Sequence, residues 1–213
     1  MLIRRLHLLR EAFRDRRGVA AIEFAFVAPV LALLMLGAPD ISSAIMASNR
    51  ATFVAETIAQ LISQTKVTLT DNDINQILQS APLVDPDILT YARTANTSVE
   101  NSVSIIATSV AFTLADANCK SNCKYDANVV FSRALSGSGR QCGKLVPGSD
   151  GSSGLPSEVY SANSIVAVDV TVRFKPLFSN LFFNELSFKR SAYFRPRYVE
   201  PVKSTNNCPA YAS

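Results

Sequence analysis

Glu23 carries the only charged side chain in an apolar run that covers residues 19–39. At a rise of about 1.5 Å per residue, a helix of this length extends over roughly 30 Å, which is enough to cross the hydrocarbon core of a bilayer. A carboxylate near the start of a membrane helix costs roughly a few kcal/mol, so it usually implies a partner of opposite charge. The spacing therefore predicts charge pairing at a membrane.

The four cysteines, Cys119, Cys123, Cys142 and Cys208, all follow the apolar run. An exported compartment favours disulfides, and four cysteines allow three connectivities. The short 119–123 spacing, and the irregular sequence around the other two, predict the pairs 119–123 and 142–208. A four-thiolate zinc site needs paired C-x-x-C-type spacings, which this sequence lacks. A catalytic thiol needs a histidine, and the only one, His7, precedes the apolar run, so we predict no metal and no enzyme.

The charges around the apolar run predict how it is oriented. Six of the 21 Lys and Arg residues precede it, and a basic flank stays on the cytoplasmic side of a membrane. Beyond residue 18 the chain carries 15 basic and 15 acidic residues, so it is formally neutral. The pI of about 9.0 thus reflects the leader, and the composition argues against a nucleic-acid partner.

Three interpretations of the apolar run compete. A secretory signal peptide has a shorter apolar region than this one and ends at a small-residue cleavage site. A plain signal anchor fits the length but leaves Glu23 unexplained. The third is a prepilin-type site, since Gly18 is followed by an apolar residue, Val19, with Glu23 at the fifth position after the glycine and Phe24 at the sixth.

That arrangement resembles the prepilin peptidase site of type IV pilin-like proteins. More closely, the run RRGVAAIEFAFVAPVLALLMLG, followed by an amphipathic helix, is similar to the TadE-like minor pilins and pseudopilins of the tight-adherence (Flp) pilus system. The similarity covers about the first quarter of the chain. Its residues are Gly18, Ala20, Ala21, Glu23, Phe24, Pro29 and Gly37.

The resemblance implies cleavage between Gly18 and Val19, and pairing of the new α-amine with Glu23 of a neighbouring subunit. It implies a non-enzymatic role in assembling a tight-adherence type IV pilus, without a cofactor. The implied partners are the inner membrane, a prepilin peptidase, other pilins or pseudopilins and tight-adherence assembly proteins. The implied location is the bacterial inner membrane with the C-terminal domain in the periplasm, or the pilus itself. The alternative is an uncleaved single-pass envelope protein with an exported domain that binds a ligand or partner.

Three regions follow from these expectations: a cleaved leader (1–18), a transmembrane helix (19–48) and an exported domain (49–213). The helix is expected to continue past the membrane, because apolar residues recur at three- and four-residue steps. The apolar face comprises Ala51, Val54, Ala55, Ile58, Ala59, Leu61 and Ile62.

A second helix is predicted over residues 70–80, with Thr70 and Asp73 as a capping box. Four strands are predicted from β-branched residues and alternation of period two, with a bulge or a bend at 107–109. In the third strand Asp169, Thr171 and Arg173 are expected to face away from the apolar side chains of the same strand. The fold class is therefore α+β, with a pilin-like transmembrane helix continuing into an exported antiparallel sheet domain. The predicted strands are 103–114, 125–135, 165–174 and 186–194.

Two further segments carry composition signals. Residues 136–157 contain six of the eight glycines and predict a flexible surface loop. The late basic cluster Lys189, Arg190, Arg195 and Arg197 suits either contact with an acidic surface or DNA, or a solvated sheet edge. Because the exported region is formally neutral, we expect the solvated edge.

Overall fold

The computed structural model describes residues 17–148, 154–176 and 185–211. The backbone divides into two compact units. Among the described residues, the first contains residues 17–43 and Pro176, and the second contains 44–175 and 185–211. The fold class is α+β, as the sequence predicts.

The first element is a single helix of 47 residues, α1 (Arg17–Ser63), which continues through Pro29 and Pro39. Within the second unit, six of the predicted apolar positions are fully buried. Leu61 is the exception, since it is 44% exposed. At about 100° per residue it falls at the margin of the buried stripe, close to the end of the helix. The buried positions are Ala51, Val54, Ala55, Ile58, Ala59 and Ile62.

The predicted capping box begins the second helix, α2 (Asp71–Gln79). The Asp73 N–H donates to Thr70 Oγ1 at 3.2 Å, and the Thr70 N–H donates to Asp73 Oδ2 at 2.9 Å. Three short helices that the sequence analysis did not predict follow it. Pro82 lies in the first turn of one of them, where its missing N–H costs nothing. They are α3 (Ala81–Val84), α4 (Asp87–Thr94) and α5 (Val99–Ser102).

Six strands form one sheet in the order β4-β3-β2-β1-β5-β6. All neighbours pair antiparallel except β3 and β4, which are parallel, so the sheet is mixed rather than antiparallel as predicted. The four predicted strands are present, and the second ends one residue early. The strands are β1 (Val103–Leu114), β2 (Tyr125–Ala134), β3 (Lys144–Pro147), β4 (Gly154–Leu155), β5 (Ile165–Phe174) and β6 (Leu186–Phe194).

The predicted irregularity in β1 is real, but the extra residue belongs to β2. Ser109 pairs with Phe131 and Val110 pairs with Val129, which leaves Val130 outside the ladder. The pairing of β1 with β5 continues through the same point without a shift. A bulge of this kind frees a backbone carbonyl, and that of Val130 accepts the Cys208 N–H at 2.7 Å.

The sheet is buried on both faces around its centre. One hydrophobic cluster joins the buried stripe of α1 and the buried side of α2 to β1, β2 and β5, including Ile105, Phe131 and Val168. A second cluster, which includes Val110, Leu145 and Ile165, lies on the opposite face. The two faces of β5 separate as the alternation predicts, and the polar face is also buried at its centre, at Asp169.

The glycine-rich segment is also more structured than predicted. Its described residues include β3 and β4, and Gly139 packs directly on β2. A Cβ at Gly139 would lie 2.9 Å from Ser132 Oγ and 3.1 Å from the Ser132 carbonyl group, so only glycine fits that approach without movement. Residues 149–153 of the predicted loop lie outside the described residues.

Arg140 ties this segment to the sheet through a buried ion pair. Its Nη2 atom donates to Asp169 Oδ2 at 2.6 Å, and the two side chains are 2% and 8% exposed. The guanidinium also donates to the Gly154 carbonyl oxygen, and the Ser191 hydroxyl donates to Asp169 Oδ1. Asp169 is therefore buried and paired instead of solvated, because Arg140 covers its side of the sheet.

Replacing Arg140 by leucine should strongly destabilise the second unit, because it leaves the Asp169 carboxylate buried without its cation. We expect the free energy of unfolding to fall by about 3–5 kcal/mol. Urea unfolding of the detergent-solubilised chain, followed by far-UV circular dichroism, measures this change.

Two controls accompany that measurement. The Arg140→Leu/Asp169→Leu variant removes both charges and should lose less stability than Arg140→Leu alone. Lys144→Gln breaks the exposed pair with Asp126, whose atoms lie 2.8 Å apart, and should cost under about 1 kcal/mol. Equal effects of Arg140→Leu and Lys144→Gln would contradict the assigned role of the buried pair.

Candidate functional site on the N-terminal helix

The predicted processing residues lie together at the start of α1. The described part of the helix runs from Arg17, and Gly18, Val19, Glu23 and Phe24 all lie within about its first two turns. Positions four apart share one face of a helix, so residue 23 lies on the same side as residue 19, about 6 Å further along the axis.

The Glu23 side chain projects from an apolar surface. It is exposed, and Phe24 and Phe26 beside it are 66% and 78% exposed. Among the residues that the structure describes, none forms an ion pair or hydrogen bond with the Glu23 carboxylate. A carboxylate at this position in lipid requires a cation from outside these residues.

Nearly every large side chain in residues 20–36 is apolar and exposed, on all sides of the helix. The most apolar 18-residue stretch has a mean hydropathy of 2.2, and none of it is buried within the protein. A helix segment that is apolar all round and stays exposed among the described residues suits the interior of a bilayer. By length and composition, α1 is able to cross a membrane once.

Polar contacts fix the part of α1 that belongs to the second unit. Arg50 Nη1 lies 3.7 Å from Asp85 Oδ1 and also pairs with Asp87. Asp85 in turn accepts the Asp87 N–H at 3.1 Å and so caps the start of α4. Burial raises the pKa of the Asp85 carboxyl and the nearby Asp87 charge adds to this, while the Asp87 N–H and Arg50 oppose it.

Sequence reasoning missed this cluster. The two acidic residues are separated from Arg50 by α2 and α3, so no local pattern connects them.

The structure contains two disulfides, Cys119–Cys123 and Cys142–Cys208, which is the pairing that the spacing predicts. The first closes the connection between β1 and β2. The second joins the residues before β3 to the C-terminal segment. Cys208 is 4% exposed and belongs to the second hydrophobic cluster, with its N–H on the Val130 carbonyl oxygen.

Comparison with known proteins finds a match for one segment of the chain. Residues 18–60 match a family model described as TadE-like protein. The match covers about a fifth of the chain and includes Gly18, Val19, Glu23 and Phe24. No curated protein and no solved structure matches the chain. The TadE-like resemblance is thus confirmed for the helix that carries the candidate site, and it ends before the sheet begins.

The two disulfides should contribute unequally to stability. A cross-link restricts the unfolded chain more when it closes a longer loop, which gives about 4 kcal/mol for a separation of 66 residues and about 2 kcal/mol for a separation of 4. We expect Cys142→Ser/Cys208→Ser to lower the urea midpoint more than the matched variant Cys119→Ser/Cys123→Ser. The opposite order would show that the short loop, not the C-terminal closure, stabilises the unit.

Proposed function

We propose that this protein is a minor pilin or pseudopilin that takes part in assembling a tight-adherence type IV pilus. The observation that carries the proposal is the TadE-like match over residues 18–60, which indicates a pilin-like protein associated with this pilus system. The exposed apolar surface of α1 supports a single membrane span. In the proposed topology the N-terminus is cytoplasmic and the domain beyond residue 48 is periplasmic, and the processed protein resides in the inner membrane or the pilus.

The proposed processing step is cleavage of the peptide bond between Gly18 and Val19 by a prepilin peptidase. Glycine at this position leaves the backbone open to close approach by an enzyme. It also lowers the local stability of the helix by about 1 kcal/mol relative to alanine, which favours opening of the first turn around the bond. Cleavage removes the basic leader and leaves a charged α-amine on Val19.

The new amine provides the cation that Glu23 requires. In a medium of low dielectric constant, an ammonium and a carboxylate attract each other far more strongly than in water. Glu23 lies about one turn from residue 19, so an amine from a neighbouring helix meets it when the two helices are nearly level. The pair therefore sets the register of one subunit on the next.

The exported domain then acts as a displayed structural unit. TadE-like pilins are generally structural proteins, and no catalytic step enters the proposed role. The peptidase, the other pilins or pseudopilins and the tight-adherence assembly proteins are its proposed partners. The contrasting possibility is an uncleaved single-pass envelope protein, and the length of the mature chain distinguishes the two.

Mass spectrometry of the N-terminus of the protein, isolated from its native membrane, tests the processing step. We expect the wild-type chain to begin at Val19 and the Gly18→Ala chain to begin at Met1, because an alanine side chain obstructs the peptidase. Gly37→Ala is the matched control, since a Cβ there meets nothing within 4 Å, and this variant should be processed normally. A wild-type chain that begins at Met1 would overturn the pilin proposal in favour of the uncleaved envelope protein.

Glu23→Gln tests the proposed subunit pairing separately from processing. Glutamine keeps the size and a hydrogen-bonding group but loses the charge. We expect normal cleavage after Gly18 but at least a tenfold loss of surface pili. The reason is that a hydrogen bond to a charged group contributes roughly 1.5–3 kcal/mol, which this variant loses. Pili counted by electron microscopy provide the readout. Unchanged piliation in a strain whose only copy of the protein carries the Glu23→Gln substitution would exclude the pairing role.

A further inference from the structure

Asp85 is a buried carboxylate in the second unit, between α3 and α4. Its side chain is 1% exposed, whereas the side chains of its charged neighbours Arg50 and Asp87 are 40% and 58% exposed. Among the described residues, Arg50 on α1 and Asp87 on α4 are the charged groups that act on the Asp85 carboxyl, and the four residues of α3 carry no titratable side chain. One guanidinium is therefore placed to balance two carboxylates.

The contacts of Arg50 favour Asp87 over Asp85. Its Nη1 atom donates a hydrogen bond to Asp87 Oδ2, but it lies 3.7 Å from Asp85 Oδ1, which exceeds hydrogen-bond distance. Asp85 Oδ1 accepts the Asp87 N–H at 3.1 Å, whereas Asp85 Oδ2 is buried and has no hydrogen-bond partner among the described residues. A buried carboxylate with one unpartnered oxygen is costly in its ionised form.

A proton removes this cost, and the depth of the site argues against a larger cation. A metal ion needs several oxygen ligands, and a basic side chain from a partner needs an opening to the surface, which a side chain that is 1% exposed does not offer. The neutral acid keeps Oδ1 as the acceptor for the Asp87 N–H and leaves Arg50 to pair with Asp87. Burial accordingly raises the pKa of the Asp85 carboxyl, and the Asp87 charge adds to this, although the Asp87 N–H and Arg50 oppose it.

We propose that Asp85 is a proton-binding site, and that its protonation strengthens the packing of the α3–α4 segment (residues 81–94) on α1. The proton adds to Oδ2 and cancels the excess negative charge of the cluster. Ala81 and Ile88 of this segment share a hydrophobic cluster with the buried stripe of α1, and Leu83 beside them is 86% exposed. The state of Asp85 thus determines how firmly an exposed apolar residue is held. The inference concerns the second unit alone and does not depend on processing or on a membrane.

The direction of the pH dependence follows from burial of the carboxyl. In the unfolded segment Asp85 titrates near its ordinary pKa of about 3.9. Between that value and the raised folded pKa, the folded segment binds more protons than the open one, so its stability rises as the pH falls. A stabilising ion pair between Asp85 and Arg50 would give the opposite slope, since protonation would then break it.

Amide hydrogen exchange of the detergent-solubilised full chain, at several pH values between about 7 and 4, tests the site. Protection factors correct for the intrinsic effect of pH on exchange, and over residues 81–94 they should rise by at least about threefold as the pH falls. Helix α2 provides an internal reference. The hydrogen bonds that Thr70 donates hold the pKa of Asp73 below its usual value, so this cap stays ionised and α2 should gain no protection.

Two matched variants assign the effect to Asp85. Asp85→Asn keeps the side-chain shape and an oxygen that accepts the Asp87 N–H, but it cannot ionise. Its protection over residues 81–94 should equal that of the wild type at low pH and should not change with pH. Asp116→Asn is the control, because Asp116 is an exposed carboxylate that likewise accepts the N–H two residues on, from Asn118 at 2.9 Å. This variant should respond to pH as the wild type does.

Asp87→Asn tests the electrostatic environment of the site without altering Asp85. It removes the nearby negative charge and frees Arg50 for Asp85, so the rise in protection should move to lower pH. A rise that stays at the same pH would exclude Asp85 as the titrating group, because its charged neighbour would then have no effect on it.

The remaining outcomes are equally decisive. Wild-type protection over residues 81–94 that is flat or falls as the pH decreases overturns the proton site, and so does an Asp85→Asn chain that keeps the wild-type pH dependence. An Asp85→Asn chain that also loses protection in β1 would show that folding requires the ionised carboxylate, which overturns the site as well. None of these results affects the pilin proposal, which the mature N-terminus and piliation test separately.

Discussion

The surface of α1 changes from apolar on all sides to amphipathic along its length, and the packing of the sheet depends on that change. Along residues 20–36 the apolar side chains point in all directions and find no partner in the described chain. From residue 44 onward the same helix has one buried stripe and one polar face. In the proposed topology, the change from an apolar helix surface to an amphipathic one marks where lipid gives way to protein and water. Every other element of the second unit is placed relative to that stripe.

The two faces of the sheet are covered in different ways. The buried stripe of α1 and α2 cover one side. The opposite side has no α-helix among the described residues, and Leu155, Val159, Tyr160 and Cys208 complete the hydrophobic cluster there instead. A buried backbone carbonyl needs a hydrogen-bond partner, and the Arg140 guanidinium provides one for Gly154. A charged residue is needed there because one side chain has to bind both a carbonyl and a carboxylate.

Local patterns were sufficient to predict much of this fold. The capping box of α2, the length of α1 and four strands each depend on residues that are neighbours in sequence. The predictions that were wrong or incomplete concern residues whose partners are distant in sequence. The alternation of β5 marks Asp169 as an outward residue, and nothing near it in sequence indicates that Arg140 covers it. The glycines of the 136–157 segment indicate flexibility, although Gly139 is small because β2 passes beside it. At the candidate site, a motif of seven residues predicts the helix position and the family, but no pattern predicts the Arg50 contacts.

In the proposed topology, the bond between Cys142 and Cys208 also has a consequence for the order of events during export of the domain. In a chain that crosses the membrane behind its N-terminal helix, residues emerge in sequence, so the turn closed by Cys119 and Cys123 is complete early. The second hydrophobic cluster lacks Cys208 until almost all of the domain has been translocated. The Cys142–Cys208 disulfide therefore forms late, after residue 208 has crossed the membrane. In the proposed assembly role, a subunit that engages its neighbours before that point would do so through a finished helix and an open domain, which thiol oxidases and proteases outside the cytoplasm are able to attack.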